Sequence, residues 1–227
     1  MREKLFNWLG HEFIALSCEG DAIGSVTDET TRLFAGFDAR LRAHGLEPGL
    51  AHTVRTRLWA RDMDCWDGGV KERARILAGD ARSVSSSHIR PERFASNGRI
   101  AIDLLAMRPR SAQAKRACEY DPEGIVLRYL DWENVLFLSG VTVILPTFHE
   151  QLPVIVGRIS DSLAHAGLNW SRVARASFFL HRSCELAELR RCFSALVPTA
   201  IPHTDYTSVD TRQGKLVEIE ITAERST

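Results

Sequence analysis

The sequence lacks most of the features that announce a function. Its five cysteines (Cys18, Cys65, Cys118, Cys184, Cys192) are odd in number, scattered, and without a CxxC pair. Reduced thiols fit that set better than a disulfide framework, and its spacing offers no zinc site. The eight histidines are equally dispersed, with neither an HxxxH nor an HExxH arrangement, so no metal is expected. Neither a glycine-rich phosphate loop nor a GxSxG elbow is present, which removes the standard nucleotide-binding and serine-hydrolase readings and leaves no cofactor to expect. Basic and acidic residues balance at 29 each, so bulk charge gives no reason to expect a nucleic acid partner. No apolar run approaches the roughly 20 residues that span a bilayer, and Met1 to Gly10 does not read as a signal peptide. A soluble cytoplasmic protein is the expectation.

What the chain does have is an internal repeat, with one pass from about Phe13 to Arg108 and a second from about Val126 to the C-terminus. Each pass has the same order: a strand ending in a small-residue turn, an amphipathic helix, a glycine break, a strand, a second helix, and two closing strands. The best match sets Leu41-Arg42-Ala43-His44-Gly45-Leu46 against Leu163-Ala164-His165-Ala166-Gly167-Leu168. In both, Gly follows a helix whose apolar residues recur every three or four positions, where a left-handed cap costs Gly least. The expected organisation is a first module over 1–110, a linker over 111–124, and a second module over 125–227.

In the first module the pattern predicts a strand at Phe13 to Leu16, a helix at Asp28 to Ala43 with Leu33, Phe37 and Leu41 on one stripe, and a strand at His52 to Trp59. A helix over Trp66 to Leu77, weakened by Gly68-Gly69, and an apolar strand from Ile100 to Met107 complete it. In the second, Val135 to Leu138 reads as a buried strand stopping at Ser139-Gly140. Thr147 and Glu150 form a capping box for a helix whose inner face is Leu152, Ile155, Ile159 and Leu163. A strand at Val173 to His181, a helix at Cys184 to Leu196, and strands at Tyr206 to Val209 and Leu216 to Thr222 follow.

Three stretches, VLFLSGV (Val135 to Val141), SLAHAGLNWSRVARASFFL (Ser162 to Leu180) and GKLVEIEITA (Gly214 to Ala223), resemble the signatures of the RidA/YjgF (Rid) family. The first module carries them more faintly, in FIALSCEG, RAHGLEPGLAHTVRTRLWARDMD and RIAIDLLA. The resemblance implies an α+β fold of two tandem chorismate-mutase-like modules, each a mixed sheet with two helices on one face. It also implies a homo-oligomer, with a trimer favoured, and small-molecule clefts where modules meet. Family members include hydrolases that convert imines and enamines to ketones and ammonia.

The active members hold the substrate carboxylate with an Arg at the start of the penultimate strand. Counting back from Glu220, that position here is His203, and its first-module counterpart falls near Ser86. Neither is Arg, and Arg82, Arg90, Arg93 and Arg99 are candidates to replace it from the first module. The resemblance offers Glu220, His203 and Ser139 as catalytic candidates: a carboxylate to activate water, an imidazole that titrates near neutral pH, and a hydroxyl to position the leaving nitrogen. It sets Tyr206, Gly140, Ser17 and Cys18 beside them as substrate-binding candidates. Alternation along the last strand turns Glu220 away from Val217, Ile219 and Ile221, a pattern equally suited to a solvated face. The readings left open are a metal-independent Rid-like hydrolase or deaminase, a non-catalytic ligand-binding protein, and a chorismatase-like hydrolase on the same scaffold.

Overall fold

The computed structural model describes residues 1–122, 124, 126–210 and 214–225. The first module runs β1 (Arg2–Trp8), β2 (His11–Glu19), α1 (Val26–Ala43), β3 (Thr53–Ala60), α2 (Met63–Ile76), β4 (Val84–Ile89) and β5 (Ile100–Arg108). A short strand, β6 (Arg116–Cys118), leads into the second module: β7 (Tyr129–Trp132), β8 (Val135–Leu138), β9 (Val141–Thr142), α3 (Phe148–His165), β10 (Val173–His181), α4 (Leu186–Leu196), β11 (His203–Val209) and β12 (Val217–Glu224). The sheet orders are β1-β2-β5-β3-β4 and, with β6 at its end and β9 added beside β12, β11-β10-β12-β8-β7. Read from opposite ends, these are one order. The repeat expected from sequence is therefore a repeat of topology, down to the parallel pairs β3–β4 and β10–β11.

The local signals explain the helices. Gly45 and Gly167 have φ of +73° and +74°. In each copy the following Leu donates its N–H back to a carbonyl five residues earlier, Leu46 to Leu41 and Leu168 to Leu163, a doubled Schellman cap. Thr147 and Glu150 form the expected capping box, and Ser25 with Asp28 forms a second that the residue pattern did not single out. Strand β1 also lies outside the expected elements: its sequence REKLFNW is charged and mostly exposed, because it lies at the sheet edge and pairs only with β2.

Each sheet buries one face under its own helices. In the first module Ile14, Leu16, Leu58, Ile102 and Leu104 meet Phe34, Phe37 and Leu41; in the second, Phe178, Ile219 and Ile221 meet Leu152, Ile155 and Phe193. Burying side chains of this size stabilises by roughly 1.5–3 kcal/mol each. The opposite faces pack against one another, joining Phe13, Val54, Val84 and Met107 to Leu130, Trp132, Val135 and Phe137 in a shared core. Backbone bonds tie the seam: Gly140 N–H to Ser85 O at 3.1 Å, and a reciprocal bridge between Ile89 and Asp210. No helix among the described residues is long and apolar enough to cross a membrane.

Candidate functional site

Strand β12 is buried on both faces, which corrects the solvated-face alternative for Glu220. Val217, Ile219, Ile221 and Ala223 enter the helix-side core, while Glu218, Glu220 and Thr222, all at most 5 % exposed, turn to the first module. The seam is polar because both modules deliver polar side chains to it. Ser86 Oγ donates to Glu220 Oε1, and Arg57 reaches Glu220 Oε2 from Nε at 2.9 Å and Nη2 at 2.6 Å. The network continues from Arg57 Nη2 to Ser177 Oγ at 2.8 Å, from Ser177 Oγ to Asp205 Oδ1 at 2.7 Å, and to Arg175, whose Nε lies 3.0 Å from Asp205. Arg55 Nε stands 3.7 Å from the same Glu220 oxygen, and its Nη2 donates to Thr222 Oγ1.

The Ser139-Gly140 turn is a bulge. Phe137 pairs with Thr222 and Val141 with Ile219, so four steps on the β8–β9 side face three on β12. Such an extra residue bends the strand and re-aims its side chains. Here it brings the first module's Ser85 N–H within 3.3 Å of Ser139 Oγ and lays Glu218 along Gly140. A methyl group at Gly140 would collide with the Glu218 carboxyl and come within 3.0 Å of Ser86 Cβ. The first-module counterpart has no bulge, since Ser17, Cys18 and Glu19 pair in sequence with Asp103, Ile102 and Ala101.

The two carboxyls of β12 differ sharply. Burial raises both, but in Glu220 the guanidiniums of Arg57 and Arg55 and the Ser86 hydroxyl reverse the effect and hold the group at about 2. For Glu218 burial prevails. Lys215 and Arg73 lower it, the charge of Glu220 adds to the rise, and the carboxyl comes to about 7. His88 Nε2 lies 4.0 Å from Glu218 Oε1. Burial against Phe179 and Trp59 takes His88 down to about 3, so the imidazole is neutral and the contact is not an ion pair. Arg73, fully buried, directs its donors to Ser86 O at 2.6 Å and Ser87 Oγ at 2.9 Å.

Of the expected residues, the seam gathers Glu220, Ser139 and Gly140. His203 is exposed at the first residue of β11, beside Arg175 and Asp205 on a separate depression. Tyr206 lies on the opposite, helix-side face, stacked on Phe178 at 5.0 Å with Arg190 over its ring, because alternation along β11 turns it from Asp205. Ser17 accepts from Arg93 at 2.8 Å in the first module, while Cys18 turns to the helix-side core and contacts Glu19 O at 3.4 Å. The first-module counterpart of His203 is Val84, not Ser86, since Arg175 pairs with His203 as Arg55 pairs with Val84. Arg82, Arg90, Arg93 and Arg99 face Glu119, Glu92, Asp103 and Glu29 rather than Glu218 or Glu220, with Glu92 shared with Arg182 of the second module. The first-module arginines that reach Glu220 or its partner Ser86 are Arg55, Arg57 and Arg73. Glu218 is the functional candidate that sequence reasoning misses, although it alternates with Ile219 as Glu220 does and so shares its face.

A groove of about 500 Å³ opens beside this network. It is lined by Arg2, Lys4, Arg55, Arg57 and Arg175, by the carboxylates Glu3 and Asp103, and by Phe6, Ala15 and Leu105. Arg57 belongs to both places, its guanidinium against Glu220 on one side and in the groove on the other. Among the described residues no cluster of His, Cys, Asp and Glu is arranged to hold a metal ion.

No family model matches the sequence, and no curated protein does. Among solved structures, a chorismatase is similar over 94 % of this chain and 74 % of its own, at 17 % identity and a TM-score of 0.67. A member of the YjgF/YER057c/UK114 family from Mycobacterium tuberculosis covers 48 % of this chain and 98 % of its own, at 18 % identity and a TM-score of 0.42. RidA from the Antarctic bacterium Psychrobacter covers 44 % of this chain and 89 % of its own, at 20 % identity and a TM-score of 0.42. The whole-chain likeness to the chorismatase establishes a shared fold, in which two α+β modules follow one another in a single chain.

Proposed function

We propose that this two-module chain on a Rid-like scaffold is a metal-independent hydrolase that acts by acid–base catalysis at Glu218 on an imine or enamine of a small metabolite. The observation that carries the reading is a buried carboxyl brought to about 7 at a strand bulge on the seam between modules. Proton transfer is most effective when the catalytic pKa lies near the working pH, and strongly perturbed carboxyls concentrate at functional sites. In an enamine the protonated Glu218 gives its proton to the β-carbon, and the C–N unit becomes an iminium. Glu218, now a carboxylate, takes a proton from the water that attacks the iminium carbon. The resulting carbinolamine collapses to a ketone and releases ammonia. Ser139 holds the bulge against the first module through Ser85 N–H, Ser86 donates to Glu220, and Glu220, held ionised by Arg57, keeps the seam's charges in place. Glu220 is thus assigned support rather than proton transfer, and His203 no part in the step.

The whole-chain likeness to a chorismatase favours a second reading with the same first step. Protonation of an enol ether carbon gives an oxocarbenium ion, and water then releases the carbonyl compound and an alcohol. Ammonia release from enamines generated in situ, and pyruvate release from chorismate, separate the two. Either activity is expected to fall as pH rises through about 7, when Glu218 loses its proton, and to drop at least 100-fold in Glu218→Gln. No release from either substrate class would turn the reading toward ligand binding without turnover, which the buried position of Glu218 also suits. The same reading expects a homotrimer, which sedimentation velocity measures directly.

A further inference from the structure

We infer that the groove beside the seam is a binding site for a small organic dianion, held between Arg55 of the first module and Arg175 of the second. The two arginines are the same position of the repeat. Strand β3 breaks its register with β5 between Thr53 and Arg55, and β10 breaks its register with β12 between Val173 and Arg175. Each bulge is followed at once by an Arg, and both side chains line one groove. The duplicated fold therefore points the same cation at one space from two sheets.

The charge of the groove is not balanced from within. Five cationic side chains line it against two carboxylates, and both carboxylates are engaged by cations or donors outside that set. Glu3 is held by Arg40 and His44, and Asp103 by Arg93 and the Trp59 indole N–H. Beyond the lining, Glu220 is shared between Arg57 and Arg55 and Asp205 pairs with Arg175, so two negative charges serve three guanidiniums. Arg2 and Lys4 make no ion pair among the described residues.

Of the groove's cations Arg55 is the most buried. It is 5 % exposed, and its Nε has no hydrogen-bond partner. Burial draws its guanidinium down to about 10. A desolvated cation that shares its counter-charge is stabilised by a second anion, and a guanidinium presents paired N–H groups that suit a carboxylate. Phe6, Ala15 and Leu105 give the groove an apolar wall for a carbon skeleton, and its volume lies in the range usual for small-molecule sites. Lys4, Phe6 and Arg175 continue into the neighbouring depression of about 450 Å³ with His203 and Asp205, so a ligand with two acidic ends meets cations at both. The inference stands apart from the hydrolysis reading, because it requires binding and no turnover.

The test is isothermal titration of the full chain with benzene-1,3-dicarboxylate, benzoate and benzyl alcohol as probes. The dicarboxylate is expected to bind at least tenfold more tightly than benzoate, and the alcohol not at all. Arg175→Gln and Arg55→Gln are each expected to weaken the dicarboxylate at least tenfold, while Arg116→Gln, exposed and paired with Asp131 away from the groove, leaves it unchanged. If Arg55→Gln fails to fold, the double variant Arg2→Gln, Lys4→Gln takes its place, with the same loss expected. A dicarboxylate that binds no better than benzoate, or an Arg175→Gln affinity within twofold of the parent, overturns the inference. Competition between the dicarboxylate and turnover would mark the groove as the substrate's own, and tight binding without competition would mark a separate effector site.

Discussion

Glu218 and Glu220 stand two residues apart on the same face of the same strand, both buried, and they end on opposite sides of the ordinary carboxylate range. The difference lies in what the first module brings to each. Opposite Glu220, strands β3 and β4 deliver Arg57, Arg55 and Ser86 within contact range. Opposite Glu218, the same module delivers the neutral ring of His88, and Gly140 lies along its flank, while Arg73 is turned to Ser86 and Ser87. Burial alone does not set the state of a carboxyl. An ion pair with good hydrogen bonds holds one ionised, and an apolar flank with distant cations leaves the other able to carry a proton.

Removing Glu220 makes the largest expected break in that contrast. Glu220→Ala strands the buried guanidiniums of Arg57 and Arg55, and losing one member of a buried ion pair costs about 3–5 kcal/mol. Urea denaturation at pH 7 measures it, and a loss below about 1 kcal/mol would show that solvent or Asp205 takes over the charge. Glu218→Gln, by contrast, replaces a carboxyl that already carries a proton for part of the time, so its cost at pH 7 is expected to be much smaller.

A pH series sharpens the same comparison. Glu218 is raised in the fold from the usual 4.5 to about 7, so the stability it contributes is complete below 4.5 and is lost as pH climbs through 7. Glu220 is lowered to about 2, so its contribution is present above 4.5 and is lost as pH falls toward 2. Each limb amounts to about 3 kcal/mol, because a tenfold change in proton affinity between the folded and unfolded chain is worth roughly 1.4 kcal/mol. Urea midpoints from pH 3 to pH 8 should therefore lose their alkaline limb in Glu218→Gln and their acid limb in Glu220→Gln. If both variants keep both limbs, other groups set the profile.

The repeat is readable in the sequence because its punctuation is local. Gly45 and Gly167 terminate their helices by the same two backbone bonds, and Thr147 with Glu150 caps α3 within a single turn. The site is less legible because its partners are distant along the chain, Arg57 and Ser86 standing 163 and 134 positions from Glu220. Alternation on β12 marks Glu220 as facing away from the apolar residues, but it cannot say that the other side meets a second sheet instead of water. Glu218 obeys the same alternation and escapes notice because nothing local separates it from Glu220. Counting along the chain leads to His203 as the clamp position, yet three of the groove's four arginines come from β3 and β10, where two bulges that no residue pattern announces turn Arg55 and Arg175 to a common side.

The smallest effect is expected at His203, at the edge of the second sheet. His203 is exposed, and its neighbours Arg175 and Asp205 already answer one another. Surface substitutions away from caps, cores and buried pairs usually stay within about ±0.5 kcal/mol, and His203→Ala should do the same in urea. It should also leave turnover unchanged at saturating substrate, because proton transfer is assigned to Glu218 on another strand and in the closed part of the seam. A fall in kcat above tenfold in His203→Ala would move the chemistry out of the seam and into the depression that His203 shares with Arg175. Glu218 would then be a buried carboxyl with a structural role only, and its raised pKa would belong to the packing of the two modules.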